Sequence, residues 1–145
     1  MTVLGLRRTW ARGLLAGLNV FFFGNNHPPS LETVLYQATM PGLAEELSIR
    51  GVQFAIFDRI LIFRFRLIGA EIGYGAIATS IWFGLGHAIS LDAAPDWQSG
   101  LAAFATTGAI GFLLAWFRAR TGSLVVPVVV HNITNLILES VPRLF

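Results

Sequence analysis

Hydrophobic residues fall in five runs along the 145-residue chain, at about 13–24, 31–57, 67–91, 99–117 and 122–139. Short turns rich in Asn, Pro, Asp and Arg separate the runs. A stretch of roughly 20 apolar residues is long enough to cross a bilayer as a helix, and no ten-residue alternation typical of membrane β-barrel strands is present. The pattern therefore predicts an all-α, polytopic transmembrane bundle of about five helices.

The predicted membrane domain covers residues 1–145 and has two parts, an N-terminal region and a core. Residues 1–37 have a basic start and a first apolar run of about twelve residues without a small-residue cleavage site, so they predict a retained helix or anchor. Residues 38–138 form the remaining core. Within it, Pro41 and Gly42 interrupt the second run, and we expect a kink or break there, with a helix restarting just before Glu45.

Composition and charge support a membrane protein. The chain is 54% hydrophobic and only 12% charged, whereas soluble domains are about 25% charged. All the basic residues other than histidine are arginines, and they cluster in alternate loops. This distribution predicts a multi-pass plasma-membrane protein whose N-terminus and Arg-rich loops lie on the cytoplasmic side. The chain shows no stacked aromatic and basic face for nucleic acid. It has no cysteine, which excludes thiolate nucleophiles and disulfides.

A few polar side chains lie inside the apolar runs, although a charge at mid-bilayer costs about 2.5–3.5 kcal/mol. Glu46 and Arg50 are four residues apart, in the order that favours an ion pair on one helical face. Glu45 is rotated about 100° from Glu46 and has no equally good local partner. We therefore expect Arg50 to neutralise Glu46 and leave Glu45 to act elsewhere.

Two other helices carry polar groups at the same spacing. His131 and Asn135 are four residues apart in the fifth run, and Phe83 and His87 repeat that spacing in the third. Taken singly, each group also fits a structural role, as a buried ion pair or an interhelical hydrogen bond. Taken together, a carboxylate, two imidazoles and a carboxamide form a set that hydrolysis needs.

These residues carry a family resemblance. In chain order, "EELSIR", "FGLGH" and "HNITN" resemble the EExxxR, FxxxH and HxxxN motifs of the CPBP family, the CAAX prenyl proteases and bacteriocin-processing enzymes also called Abi. Pro41 and Gly51 match the usual surround of the first motif, and Ile49 replaces its common phenylalanine. Three motifs in order, about 40 residues apart, are a specific signal that covers residues 38–138.

The resemblance implies an intramembrane endopeptidase with a helical fold around a water-filled cavity. By it, Glu45 and His87 activate a water molecule, while His131 and Asn135 form an oxyanion hole. No cofactor is needed for this mechanism. The expected partners are the lipid bilayer and a membrane-anchored peptide or protein substrate, either CAAX-like and prenylated or of the bacteriocin type.

The resemblance also assigns a supporting set and leaves alternatives open. Glu46 and Arg50 would hold the first motif in shape, and Phe83 would support the second. One alternative is a zinc metalloprotease that uses Glu45, His87 and His131 as ligands, although the HExxH helix of zincins is missing. The other is a non-catalytic membrane protein, such as an immunity factor or a small transporter component, because buried charges also build ion pathways.

Overall fold

Helices dominate the structure. A computed structural model of the chain describes residues 30–89 and 97–140. The elements in chain order are α1 (Leu31–Glu46), a π-helical segment (Leu47–Gln53), α2 (Phe54–Ile60), β1 (Arg64–Leu67), β2 (Ala70–Gly73), α3 (Tyr74–Ala88), α4 (Trp97–Thr121) and α5 (Val125–Ser140). The predicted first run, at about 13–24, lies outside the described residues.

Helix α1 continues through its proline, so a break at Pro41 with a new helix starting just before Glu45 is wrong. Ser30 caps the helix by accepting a hydrogen bond from the Thr33 amide at 3.1 Å, and the helix continues past Pro41 to Glu46. At the residue after the proline, Asn132 of α5 accepts a hydrogen bond from the Gly42 amide at 2.9 Å. The departure from α-helical geometry comes after Glu46 instead, in the π-helical segment.

A β-hairpin corrects the all-α prediction. Strands β1 and β2 are antiparallel, with Leu67 opposite Ala70, and Ile68 and Gly69 form the turn with φ of 46° and 76°. We expected a turn up to about residue 66 and a helix from about residue 67, but α3 begins only at Tyr74. Glu71 is exposed on β2 opposite Arg66. Four-residue strands are too short for the ten-residue alternation that defines a barrel strand.

The inner face of the hairpin packs on the helices. Its buried side chains form a core cluster with residues of three helices: Phe54, Phe65, Leu67, Ala70, Ile72, Ala76, Phe112, Ala115, Trp116 and Ala119. The Trp116 indole donates to the Leu67 carbonyl at 2.9 Å, and Arg64 pairs with Asp58 at 3.0 Å. These contacts fix the hairpin to α2 and α4 at one end of the molecule.

Helices α3 and α4 approach closely at a glycine. A Cβ added to Gly84 would lie 2.8 Å from the Phe104 carbonyl oxygen and 3.2 Å from the Gly108 Cα. Such a close approach at small residues is common between membrane helices. The close packing at Gly84 positions the end of α3 that carries His87.

Helix α4 is long and apolar enough to cross a membrane, and no other helix among the described residues meets that test. Its 25 residues rise about 37 Å. Helix α3 has 15 residues and rises about 22 Å, less than the roughly 30 Å of hydrocarbon. The prediction of about five membrane-spanning helices therefore stays a prediction.

Two glycines of α3 provide a matched test of this packing. We expect Gly84→Ala to lower the free energy of unfolding by about 1–3 kcal/mol, because the new methyl group collides with the backbone of α4. Gly86→Ala meets no described atom within 4 Å and should be neutral or stabilising by up to about 1 kcal/mol. Thermal unfolding in detergent micelles measures the stability of both variants. Equal changes in stability would contradict the close approach of α3 and α4 at Gly84.

Candidate active site

A buried ion pair lies at the centre of the site. The Arg50 Nη1 donates to Glu46 Oε1 at 2.9 Å, and both side chains are 0% exposed. The Arg50 Nη2 donates to the Gly111 carbonyl of α4 at 2.9 Å, and its guanidinium carbon lies 4.6 Å from the centre of the Phe83 ring, at cation–π distance. The predicted pairing of Glu46 with Arg50 is confirmed, and Phe83 of α3 joins it.

Glu46 has a second partner that the sequence did not predict. The Nδ1 of His131 on α5 lies 2.8 Å from the same Oε1. At this distance the imidazole donates its Nδ1 hydrogen to the carboxylate, which fixes the orientation of the ring and directs Nε2 away from Glu46. The two residues are 85 positions apart, so helical spacing gives no signal of the contact.

Glu45 occupies a different environment from its neighbour. Its side chain is 37% exposed, and its Oε2 lies 3.9 Å from the Nε2 of His131, which is too far for a direct hydrogen bond. That oxygen is buried but has no hydrogen-bond partner among the described residues. Glu45 therefore lies at the rim of the buried cluster, with one inward carboxylate oxygen unengaged by the described part of the chain.

Phe83 brings the two histidines to one place. Its ring centre is 4.4 Å from that of His87 and 5.8 Å from that of His131, the latter in an edge-on arrangement. The Nδ1 of His87 lies 2.8 Å from the Phe83 carbonyl oxygen. Because a carbonyl only accepts, Nδ1 carries the hydrogen of this bond, and in the neutral ring the basic lone pair is on Nε2.

Two asparagines of α5 differ in their surroundings. Asn135, a predicted site residue, lies one turn after His131 and is half-buried; its side chain makes no hydrogen bond with another described residue. Asn132, which sequence reasoning missed, is buried. It accepts from the Gly42 amide at 2.9 Å and donates to the Thr39 carbonyl at 3.3 Å. The sequence could have indicated a structural role for Asn132, because a polar amide within an apolar helix needs hydrogen-bond partners.

The three motifs thus meet where α1 and its π-helical extension, α3 and α5 come together. With that geometry established, comparison with known proteins identifies the family. The family model for type II CAAX prenyl endopeptidases, Rce1-like, matches residues 27–137. The chain belongs to this family. No curated protein and no solved structure matches the chain.

Membership in the type II CAAX prenyl endopeptidase family confirms the resemblance drawn from the three motifs. It gives the chain CAAX protease-type activity, in a membrane-embedded protein with a membrane-associated substrate. The match begins before the first motif and ends shortly after Asn135, so it includes every motif residue of the candidate site.

The donor set of this family member also bears on the zinc alternative. No three His, Asp or Glu side chains among the described residues are arranged to hold a metal ion. In both histidines, however, Nδ1 forms a hydrogen bond to an acceptor of the protein. Zinc-binding histidines commonly do the same while Nε2 binds the metal. The Nδ1 hydrogen bonds are the same whether Nε2 binds a metal, accepts a proton as a base or carries a proton as a donor, so they fit either mechanism.

The buried ion pair yields a stability prediction. We expect Arg50→Met to lower the free energy of unfolding by about 3–5 kcal/mol, because it leaves the Glu46 carboxylate buried without its cation. Arg59→Met removes an exposed arginine and should change stability by less than about 0.5 kcal/mol. Denaturant unfolding in detergent compares the two. Similar small effects would show that Arg50 does not stabilise the buried cluster.

Proposed function

We propose that this chain is an intramembrane glutamic endopeptidase, in which Glu45 and His87 activate a water molecule that attacks the scissile peptide bond. One observation carries the proposal: the buried Glu45 Oε2 lacks a hydrogen-bond partner among the described residues and lies 3.9 Å from the His131 Nε2. That separation is too long for direct contact but suits a bridging water or a substrate oxygen.

The two adjacent glutamates have different roles in this proposal. The Oε1 of Glu46 accepts from both Arg50 and His131, at 2.9 and 2.8 Å, and the residue is fully buried. Glu45 is partly exposed and has an oxygen available to a water. We therefore assign Glu45 as the general base and Glu46 as a positioning residue that orients His131.

The reaction follows from these positions. Glu45 takes a proton from the water as the water oxygen bonds to the peptide carbonyl carbon. His87 orients the same water through Nε2. Negative charge then develops on the carbonyl oxygen. His131 donates Nδ1–H to Glu46 and directs Nε2 at this oxygen, where an Nε2–H would donate to the oxyanion, and the Asn135 amide donates a second hydrogen bond. Glu45 returns the proton to the leaving amine as the C–N bond breaks.

Membrane orientation extends this proposal. The Arg120 side chain lies beside Gly69, with its Nε 3.3 Å from where a glycine Cβ would be, so two of the Arg-rich turns lie at the same end of the molecule. This shared end supports the positive-inside arrangement, in which both turns face the cytoplasm of the plasma membrane. We infer a multi-pass protein that cleaves membrane-anchored peptides, with prenylated CAAX proteins and bacteriocin-type precursors as the two candidate classes.

The proposed base is tested by Glu45→Gln. We expect the variant to fold normally and to lose about 10²–10⁴-fold in kcat, because glutamine cannot accept the proton of the water. The assay follows cleavage of a farnesylated CAAX peptide and of a leader-containing bacteriocin precursor in proteoliposomes. Glu71→Gln, at an exposed acid of the hairpin, should keep full activity.

Full activity of Glu45→Gln would contradict the glutamic mechanism. If wild-type protein cleaves neither substrate while a relative of known activity does so under the same conditions, the two proposed substrate classes are wrong. The non-catalytic alternative would then gain support.

Chelation separates the metal-free mechanism from the zinc alternative. We expect kcat to be unchanged after incubation with 1,10-phenanthroline, since the proposed steps use only side chains and water. A zinc enzyme would instead lose activity and regain it on addition of Zn²⁺. Metal analysis of the purified, active protein is the matched control, because zinc in equimolar amount together with chelator-sensitive cleavage would overturn the metal-free assignment.

A further inference from the structure

Asn132 connects α5 to α1 through two backbone groups. Its Oδ1 accepts from the Gly42 amide at 2.9 Å, and its Nδ2 donates to the Thr39 carbonyl at 3.3 Å. This orientation of the amide is the one that satisfies both contacts, because Oδ1 only accepts and Nδ2 only donates. The side chain is buried, so water does not readily replace these bonds.

The contact lies where α1 needs it. Pro41 has no amide hydrogen, and its ring displaces the carbonyl four residues earlier, which weakens the hydrogen-bond ladder of the helix. Asn132 provides an acceptor and a donor on either side of that proline. Gly42 permits the approach, because a Cβ there would lie 2.3 Å from Asn132 Oδ1 and 2.8 Å from the Val128 carbonyl oxygen.

The same contact is adjacent to the proposed catalytic groups. Gly42 precedes Glu45 by three residues and Glu46 by four, about one helical turn, and Asn132 directly follows His131. Helix α5 therefore contacts α1 through two neighbouring residues. Asn132 binds the backbone of α1, and the His131 Nδ1 lies 2.8 Å from Glu46 Oε1. Loss of the Asn132 contact would let α1 rotate or slide relative to α5 and change the 3.9 Å separation of Glu45 from His131.

We propose that Asn132 is a positioning residue, which sets the register between α1 and α5 and so places Glu45 relative to His131. This inference rests on the proposed function, since it assigns a task to Asn132 in the same site. Asn132 acts through the backbone of α1 and does not touch the reacting atoms.

Asn132→Leu tests the proposal, because leucine keeps the branched shape and the four heavy atoms of the side chain and removes both hydrogen bonds. We expect kcat to fall on the order of 10–100-fold with KM changed by less than about threefold, since small displacements of catalytic groups have effects of this size. Gly42→Ala should act in the same direction from the other side of the contact. Trp116→Phe, which removes a tertiary hydrogen bond at the hairpin, should lower the melting temperature without lowering kcat per folded molecule.

A distance measurement makes the test independent of activity. The chain has no cysteine, so spin labels on Cys substituted for Leu35 of α1 and Ile137 of α5, both more than half exposed, report the spacing of these helices alone. We expect Asn132→Leu to shift or broaden the distance distribution, and Trp116→Phe to leave it unchanged. If Asn132→Leu does not fold, Asn132→Ala takes its place.

The outcomes separate this inference from the proposed function. An unchanged distance distribution, or a lower melting temperature with wild-type kcat, would show that Asn132 only stabilises the fold and would overturn the inference. If Glu45→Gln keeps full activity while Asn132→Leu changes the helix spacing, the proposed function fails but the register assignment stands.

Discussion

A guanidinium buried among apolar helices is the constraint on which the rest of this structure depends. Arg50 is fully buried, and an arginine side chain keeps its charge in proteins, so the protein itself must supply its acceptors. Glu46, the Gly111 carbonyl and the Phe83 ring do so from α1, α4 and α3. Three helices are thereby held around one charge contributed by the π-helical segment.

The charge of Arg50 also organises the chemistry that we propose. The Glu46 oxygen that accepts from Arg50 also accepts from His131, so the carboxylate that pairs with the arginine also orients the imidazole. Glu45, the residue directly before Glu46, is turned about 100° away on the helix and keeps an oxygen without a described partner. The division of labour between two chemically identical neighbours therefore follows from helical rotation and from the position of one arginine.

The sequence predicts what depends on local spacing and misses what depends on distant contacts. The Glu46–Arg50 pair and the contact of Phe83 with His87 follow from i, i+4 geometry, and both are present. His131 is 85 residues from Glu46, to which it donates a hydrogen bond, and Asn132 is 90 residues from Gly42, from which it accepts one. Helical periodicity carries no information about such pairs. The hairpin was missed because its strands have four residues each. The first strand lies mostly in a segment expected to be a turn, and the second lies at the start of a run assigned to a helix.

Two features that disturb helical backbone hydrogen bonding flank the two glutamates: a proline within α1, and the π-helical segment that follows the helix. Pro41 lies four residues before Glu45, and the π-helical segment begins directly after Glu46. Backbone groups released by such irregularities in a membrane protein need partners from the protein itself. At Pro41 the partner is Asn132, and Asn132 is carried by the helix that also brings His131. Packing of α5 on α1 therefore satisfies the disturbed backbone and joins the histidine to the glutamates through one and the same interface.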